Sequence, residues 1–483
     1  MIRSLFSLFL LIPGVSLPDA DVRRGIVLLT ITPVVEDATR PWIKDQGTPF
    51  QRLGLVVGKG KILALESEVR GAAIVEVRKH SSTEAVTATI ERSDRETDLA
   101  ILSVPADFAQ DLNPIPAGPD PVVGETLESI RVDGGLFRLQ RNEVQFSEIE
   151  VTTATGFTAF PVGNVASLEP FPEGGILISK GKLAGFVHDR SNGRRIDFLL
   201  PGYIHQFLAG GAPGSAGFDY ESLVDPVLRR NAGVEGRSGP MVTRIYPGTS
   251  AYGVLQKGDI ILAVDGVVLD ERGFFEDGKN GRQRIELLLY AKGGVTRKIG
   301  DTVPIRIIRA ARRMDVSFKL IRNEGNAVRV PIREREQGFL VEGGVVFLNL
   351  SLFFLQSQFG ATYATSAPEL AYLYQSKRFR DQPGDDRIVI IARVLPDDMT
   401  LGYESLGGAQ VLRAGNETVK SVNHLHDIME AAAKKDATLT LELSNGRMMV
   451  LDLKNRNAIN SRIRKRYGVP VDFRRASNSG PGG

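Results

Sequence analysis

Glu169-Pro170-Phe171-Pro172-Glu173-Gly174-Gly175-Ile176-Leu177 is the stretch on which the fold of this 483-residue chain turns. It closes a β-rich segment, carries paired glycines, and is followed by a second short strand pattern over Lys182 to Val187. Working outward, short apolar runs separated by turn residues dominate. They cover Gly25 to Thr32, Leu53 to Val57, Lys61 to Leu65, Ala73 to Arg78, Ala85 to Glu91 and Leu99 to Val104, then Glu143 to Thr153, Gly175 to Ser179 and Ile196 to Leu200. Helical periodicity is confined to a segment near Tyr203 to Leu208. Many short strands at regular spacing predict an all-β barrel or sandwich over about 22–210.

Four landmarks in this region resemble the Deg/HtrA family of trypsin-like serine proteases. The opening stretch resembles that family's Asn-Pro-Gly-Asn-Ser-Gly-Gly-Pro-Leu, matching in the proline, the two glycines and the leucine, with Glu173 where the family has its serine. Leu53-Gly54-Leu55-Val56-Val57, continuing through Gly60 to Ile62-Leu63-Ala64-Leu65-Glu66-Ser67-Glu68-Val69, resembles the segment that brings in the general base, with Ser67 at the histidine's place. Asp98-Leu99-Ala100-Ile101-Leu102 matches Asp-Leu-Ala-Leu-Leu, whose aspartate orients that base. Leu200-Pro201-Gly202-Tyr203 to Leu208 resembles the helix that closes the protease domain.

The resemblance implies a two-barrel chymotrypsin-like domain whose triad positions hold Ser67, Asp98 and Glu173. A serine hydroxyl is a poor nucleophile until an adjacent imidazole takes its proton. Loss of either member alone costs about a millionfold in kcat. Phe171 replaces the family's glycine two residues before the nucleophile, and a Glu173 carboxylate would repel a developing oxyanion. Asp98 reads as a turn-capping structural residue. His80 and His188 read as surface or strand-end histidines, and Ser167 and Ser179 lie near the loop but outside its glycine-flanked turn. Glu68 and Glu173, from facing barrels, are conceivable as a carboxylate pair for acid–base work and read better as two solvated acids. No metal, phosphate or dinucleotide motif stands out, and no cofactor is expected.

Length predicts about three domains. Apolar content of 42% and charged content of 24% suit several ordinary cores, and a formal net charge of +3 gives no reason to expect nucleic acid. Met1 to Ile12 has a basic end and a short apolar run, followed by Pro13 and small residues, so residues 1–20 read as a cleaved secretory signal with the mature chain starting between Leu17 and Asp21. The run is too short to span a bilayer, and no integral span is expected after cleavage. The chain has no cysteine, which excludes disulfides and thiol chemistry and suits a bacterial periplasm or cell envelope. The run Val345 to Leu355 reads as a buried strand.

After a flexible joint at Pro213-Gly214-Ser215-Ala216-Gly217 the texture changes. Met241 to Ala251, running into Gly253-Val254-Leu255-Gln256-Lys257-Gly258-Asp259-Ile260-Ile261-Leu262-Ala263-Val264-Asp265-Gly266, closely resembles a bacterial-type PDZ domain over about 214–322. Such a domain holds a peptide C-terminus as an added strand beside a helix. By position, Ser215, Ala216, Gly217 and Phe218 take the carboxylate-gripping role, and a helix from Arg282 to Ala291 offers Ile285, Leu288 and Leu289 as pocket residues. The stretch Phe274 to Gly281 looks like an insert.

From 335 to 455 a weaker PDZ-like pattern follows: strands from Gly338 and over Arg387 to Leu395, a helix near Pro368 to Tyr374, strand patterns over Glu404 to Arg413 and Val419 to Leu425, a helix over His426 to Lys434, and a closing strand pair. It resembles the second PDZ domain of plant-type Deg proteases and shows no clear carboxylate-gripping loop, which implies packing against neighbouring subunits or the first module. Residues 456–483 are rich in arginine and end in Gly, Pro and Ser, and read as a solvated, disordered tail. The fold expected is mainly β: a two-barrel domain followed by two α+β PDZ-like domains. The function expected is that of a catalytically inactive Deg/HtrA-like, trimer-based homo-oligomer binding C-termini or unfolded segments. An active endopeptidase with a displaced triad, and a purely structural oligomer, are the alternatives.

Overall fold

A computed structural model of the chain describes residues 18–80, 82–94, 97–133, 137–153, 159–166, 175–189, 195–214, 216–234, 239–292, 295–322, 338–377, 387–435 and 438–476. The expected leader up to residue 17, Ser167, the 167–174 loop with Phe171 and Glu173, and Ser215 lie outside them.

The first domain opens with helix α1 (Asp19–Gly25), which leads into strand β1 (Ile26–Glu36). Strands β2 (Lys44–Gln46), β3 (Phe50–Gly58) and β4 (Lys61–Leu65) follow, then helix α2 (Glu66–Val69), β5 (Ala72–Arg78), β6 (Val86–Thr87), β7 (Thr89–Asp94) and β8 (Leu99–Ser103). They form an eight-stranded sheet in the order β6-β5-β1-β3-β4-β8-β7, with β2 on β1. Strands β9 (Thr126–Asp133), β10 (Arg138–Thr153), β11 (Ala159–Ala166), β12 (Ile176–Ser179), β13 (Lys182–Asp189) and β14 (Arg195–Leu199) close into a barrel, and helix α3 (Pro201–Leu208) follows. Phe198 shows how the barrel accepts a large ring: a Cβ on Gly163 or Gly185, on the strands either side, would lie 2.2 Å from it. Between the two halves Val22, Leu28, Leu55, Leu99, Ile130, Ile176, Leu199 and Tyr203 are buried in one core, so each half is a wall of the same hydrophobic interior.

In the middle module β15 (Phe218–Glu221), helix α4 (Pro226–Asn231), β16 (Met241–Ile245), β17 (Ile260–Val264) and β18 (Val267–Val268) precede a hairpin of β19 (Phe274–Asp277) and β20 (Gly281–Arg284). Helix α5 (Ile285–Tyr290), a short pair β21 (Ala291–Lys292) and β22 (Val295–Thr296), and the long hairpin β23 (Thr302–Arg309) and β24 (Arg312–Lys319) complete it. The sheet runs β15-β16-β17-β23-β24. Two expectations are corrected here. The groove helix begins at Ile285 rather than Arg282, because Gly281 to Arg284 pair with Phe274 to Asp277 as a hairpin. The joint before the module is pinned rather than loose: Ala216 is 2% exposed and a Cβ on Gly214 would sit 2.5 Å from Leu320.

The second module comprises β25 (Phe339–Glu342), β26 (Val345–Asn349), helices α6 (Leu352–Phe359), α7 (Tyr363–Ser366) and α8 (Pro368–Lys377), then β27 (Val389–Val394), β28 (Val411–Ala414) and β29 (Glu417–Thr418). Helix α9 (Val422–Ala433), β30 (Thr438–Leu443), β31 (Met448–Asp452), helix α10 (Arg456–Tyr467) and β32 (Phe473–Arg474) end it. Two four-stranded sheets result, β27-β26-β25-β32 and β29-β28-β30-β31.

The run Val345 to Leu355 is not one strand. The Ser351 hydroxyl accepts the Phe354 amide and starts a helix there. Residues 422–425 are likewise helical rather than extended, because Ser421 caps α9 by accepting the His424 amide. The described part of the expected tail is folded. Ile459 and Ile463, four residues apart, bury one face of α10, and two of its arginines form ion pairs to the rest of the module: Arg456 with Glu342 and Glu430, Arg462 with Asp397. Gly468, at φ 64°, ends the helix in the left-handed conformation. The first domain reaches this module through the loop between β1 and β2. Trp42 packs on Phe339 with ring centroids 5.6 Å apart and donates its indole N–H to the Tyr467 carbonyl at 3.2 Å.

Candidate functional site

Asp98 opens β8 in the left-handed region, φ 54°, a conformation aspartate tolerates better than most residues. It is 7% exposed. Its carbonyl accepts the Glu66 amide at 3.0 Å, and its Oδ1 accepts the Ser67 amide at 2.7 Å, so the carboxylate caps the turn where β4 passes into α2. Ser67 Oγ, at the position where the family's base would stand, donates to Asp98 Oδ2 at 3.1 Å.

The same oxygen lies 3.1 Å from His188 Nε2, which comes from β13 in the closed barrel across from the eight-stranded sheet. The His188 side chain is 11% exposed. It is therefore not a surface histidine, although it does stand at a strand end, one residue before the last of β13. β13, the second strand after residues 167–174, delivers residue 188 to Asp98 across the boundary between the sheet and the barrel. The sequence holds no local signal for this, since 90 residues separate the pair. One carboxylate thus collects a serine amide, a serine hydroxyl and an imidazole.

The other candidates are placed elsewhere. Glu68 forms a close ion pair with Arg52, and Ser179 a close hydrogen bond with Glu125. Glu66, one residue before Ser67, is buried and paired with Arg70 at 3.0 Å. His80 lies against Phe137, with ring centroids 6.2 Å apart. Glu173 lies outside the described residues, so a carboxylate pair with Glu68 is not described. Among the described residues no three His, Asp or Glu side chains gather as a metal site.

The expected peptide loop of the middle module is tightly laid. The Ala216 carbonyl accepts the Ala251 amide and that of Gly217 the Tyr246 amide, both at 2.9 Å. Gly217 has φ +75°, and a Cβ there would strike Thr249 at 2.0 Å, so glycine is required. The Ala216 amide bonds to the phenol of Tyr290, whose pKa burial pushes above the usual tyrosine range. Phe218 is half-buried and begins β15 opposite Ile245. Of the expected pocket residues, Ile285 and Leu289 are buried in the module's own core. They are core positions because the short helix turns that face onto the sheet, and Leu288 is left half-buried. Between β15 and α5, Tyr220 donates its hydroxyl to Glu286 Oε1 at 2.8 Å, a bond across the mouth of the expected groove.

Comparison with known proteins adds three findings. Residues 328–475 match a family model described as a PDZ domain, a span that runs past the expected end of the second module into α10 and β32. Over nearly its whole length the chain is similar to curated relatives from Arabidopsis thaliana. One is a protease Do-like 2, chloroplastic, 24% identical, with 94% of this chain and 75% of the relative covered. Another is a putative protease Do-like 3, mitochondrial, also 24% identical, with 89% and 76% covered. Among solved structures, an HtrA-type protease AlgW with decapeptide covers 63% of this chain and 98% of its own at 19% identity, with a TM-score of 0.43.

Proposed function

From the premise that this chain belongs to the Deg/HtrA family of serine proteases with PDZ domains, we propose that it binds peptides without cleaving them. Its ligands are exposed C-termini or unfolded segments of exported proteins, and it serves as a chaperone, adaptor or regulator in the cell envelope, as a trimer-based homo-oligomer. The observation that carries this reading is the hydrogen bond from Ser67 Oγ to Asp98 Oδ2. In a working triad the aspartate holds an imidazole, and the imidazole takes the nucleophile's proton. Here the residue at the base position is a hydroxyl that gives its own hydrogen bond to the aspartate, and the nucleophile's position in the sequence is Glu173. Asp98 acts as a cap and as a link between the sheet and the barrel.

A second reading rests on one specific observation: His188 lies at Asp98 after all, 3.1 Å away. An imidazole oriented by a carboxylate is half of a catalytic apparatus, and in this reading His188 is the base of a displaced triad. Treatment of the purified full chain with a serine-directed fluorophosphonate, followed by intact-mass measurement, separates the two. The first reading predicts no adduct. An adduct that disappears in His188→Ala establishes the second.

A further inference from the structure

We propose that the groove between β25 and α9 in the second module is a peptide site for internal segments, and that residues 472–476 of the same chain are its resident occupant. This goes beyond the reading of the first domain and holds whether or not that domain cleaves.

The two modules are built alike at this point. In each, a glycine (Gly217 or Gly338) directly precedes a first strand (β15 or β25) that pairs antiparallel with the next (β16 or β26). In the middle module β15 ends its sheet among the described residues. In the second, β32 occupies the corresponding outer position. It pairs antiparallel with β25, Phe473 opposite Leu340 and Arg474 opposite Phe339, and the Val341 amide donates to the Asp472 carbonyl at 2.7 Å. An extended segment added to a sheet edge beside a helix is how a strand-adding peptide is held.

The groove also reads the occupant's side chains and its backbone at a fixed residue. Asn423, on α9, grips Ala476 at both backbone groups: its Oδ1 accepts the Ala476 amide at 2.9 Å and its Nδ2 donates to the Ala476 carbonyl at 3.2 Å. The Ala476 side chain is 9% exposed and belongs to the core with Leu340, Val422 and Met429. His426, one helical turn on, stacks on Phe473 with centroids 3.8 Å apart and planes 9° from parallel. Asp427 faces Arg475 at 3.8 Å. Gly338 makes the approach possible, since a Cβ there would lie 2.3 Å from the Ala476 Cα and 2.4 Å from its nitrogen. Ala476 is followed by further residues of the same chain, so the segment this clasp holds is an internal one. The ligand class is therefore an extended segment in which an aromatic residue is followed by two basic residues and a small one.

A tethered occupant acts at an effective concentration in roughly the millimolar range, so an external peptide meets a strong internal competitor. The test uses the full chain and a fluorescently labelled synthetic peptide of sequence Pro-Val-Asp-Phe-Arg-Arg-Ala-Ser-Asn. Phe473→Ser with Ala476→Glu ejects the resident segment and is expected to raise peptide affinity at least tenfold over the wild type. Adding Asn423→Ala is expected to lose that gain. Hydrogen exchange at 339–342 should quicken in the ejected variant and slow again when the peptide is added. Equal binding by wild type and a folded ejected variant overturns the proposal, as does absence of binding to both. Asn423→Ala alone, in an otherwise native chain, provides a milder check if the double variant does not fold. At least tenfold faster exchange at Val341 is expected, and unchanged exchange overturns the proposal. A wild-type dimer that exchanges these strands between copies would also overturn the assignment to the same chain.

Discussion

His188 Nε2 and Asp98 Oδ2 lie 3.1 Å apart across the boundary between the closed barrel and the eight-stranded sheet, and Ser67 Oγ reaches the same oxygen at 3.1 Å. The carboxylate that in a protease would serve an imidazole base instead ties a turn of the sheet half to a strand of the barrel. Asp98→Ala leaves the Ser67 amide and the imidazole without their acceptor in a largely dry site. We expect a loss of about 2–4 kcal/mol in urea unfolding, with Asp98→Asn losing less because it retains an acceptor oxygen.

The hairpin of β23 and β24 turns through Ala310 and Ala311, both with positive φ, 48° and 61°. A two-residue turn of this kind favours Asn-Gly, and each alanine stores strain there. Replacing Ala310→Asn and Ala311→Gly together is expected to stabilise the chain by about 1–2 kcal/mol, read as a higher melting temperature with an unchanged urea m-value.

Opening the middle module should expose its edge. Tyr220→Phe removes the hydroxyl that bonds Glu286 across the groove. A net hydrogen bond is worth about 0.5–1.5 kcal/mol, so a peptide that must part these groups is expected to bind about two- to tenfold tighter to the variant. Fluorescence anisotropy with labelled C-terminal peptides measures this, and weaker binding would show that Tyr220 contacts the ligand instead.

Burial raises the pKa of Glu342 above its ordinary value of 4.5, outweighing the neighbouring Arg456. A carboxyl whose pKa is higher in the folded state holds its proton more tightly there. Its stabilisation is thus full below pH 4.5 and is lost as pH rises through the raised value. Asp397 behaves oppositely: Arg462 holds its pKa below 3.8, so its contribution is present above that pH and is lost as pH falls through the lowered value. Glu342→Gln should flatten the first limb of a stability–pH curve and Asp397→Asn the second. Thermal melts across the acid range distinguish them.

The sequence showed Asp98 plainly, because Asp-Leu-Ala-Ile-Leu is a local string that opens a strand. It could not show His188, whose role exists only once the sheet and the barrel face each other. Similar limits apply elsewhere. The arginines of α10 suggested a solvated tail, although Ile459 and Ile463 at helical spacing were there to be read. The two-residue strand β32 is too short for any periodicity. Ser351 and Ser421 are ordinary helix caps, and Ser351 is hidden inside an apolar run that looked like one strand. In the middle module Ile285, Leu287, Leu288 and Leu289 are all apolar, so sequence alone did not divide pocket from core.

The most direct test is the cleavage of dye-saturated unfolded casein by the full wild-type chain, beside His188→Ala and Asp98→Ala. A chain that binds without cutting gives the buffer rate in all three, since an absent base or nucleophile lowers kcat by about a millionfold. Release above the buffer rate in the wild type, abolished in His188→Ala while that variant remains folded, would contradict it.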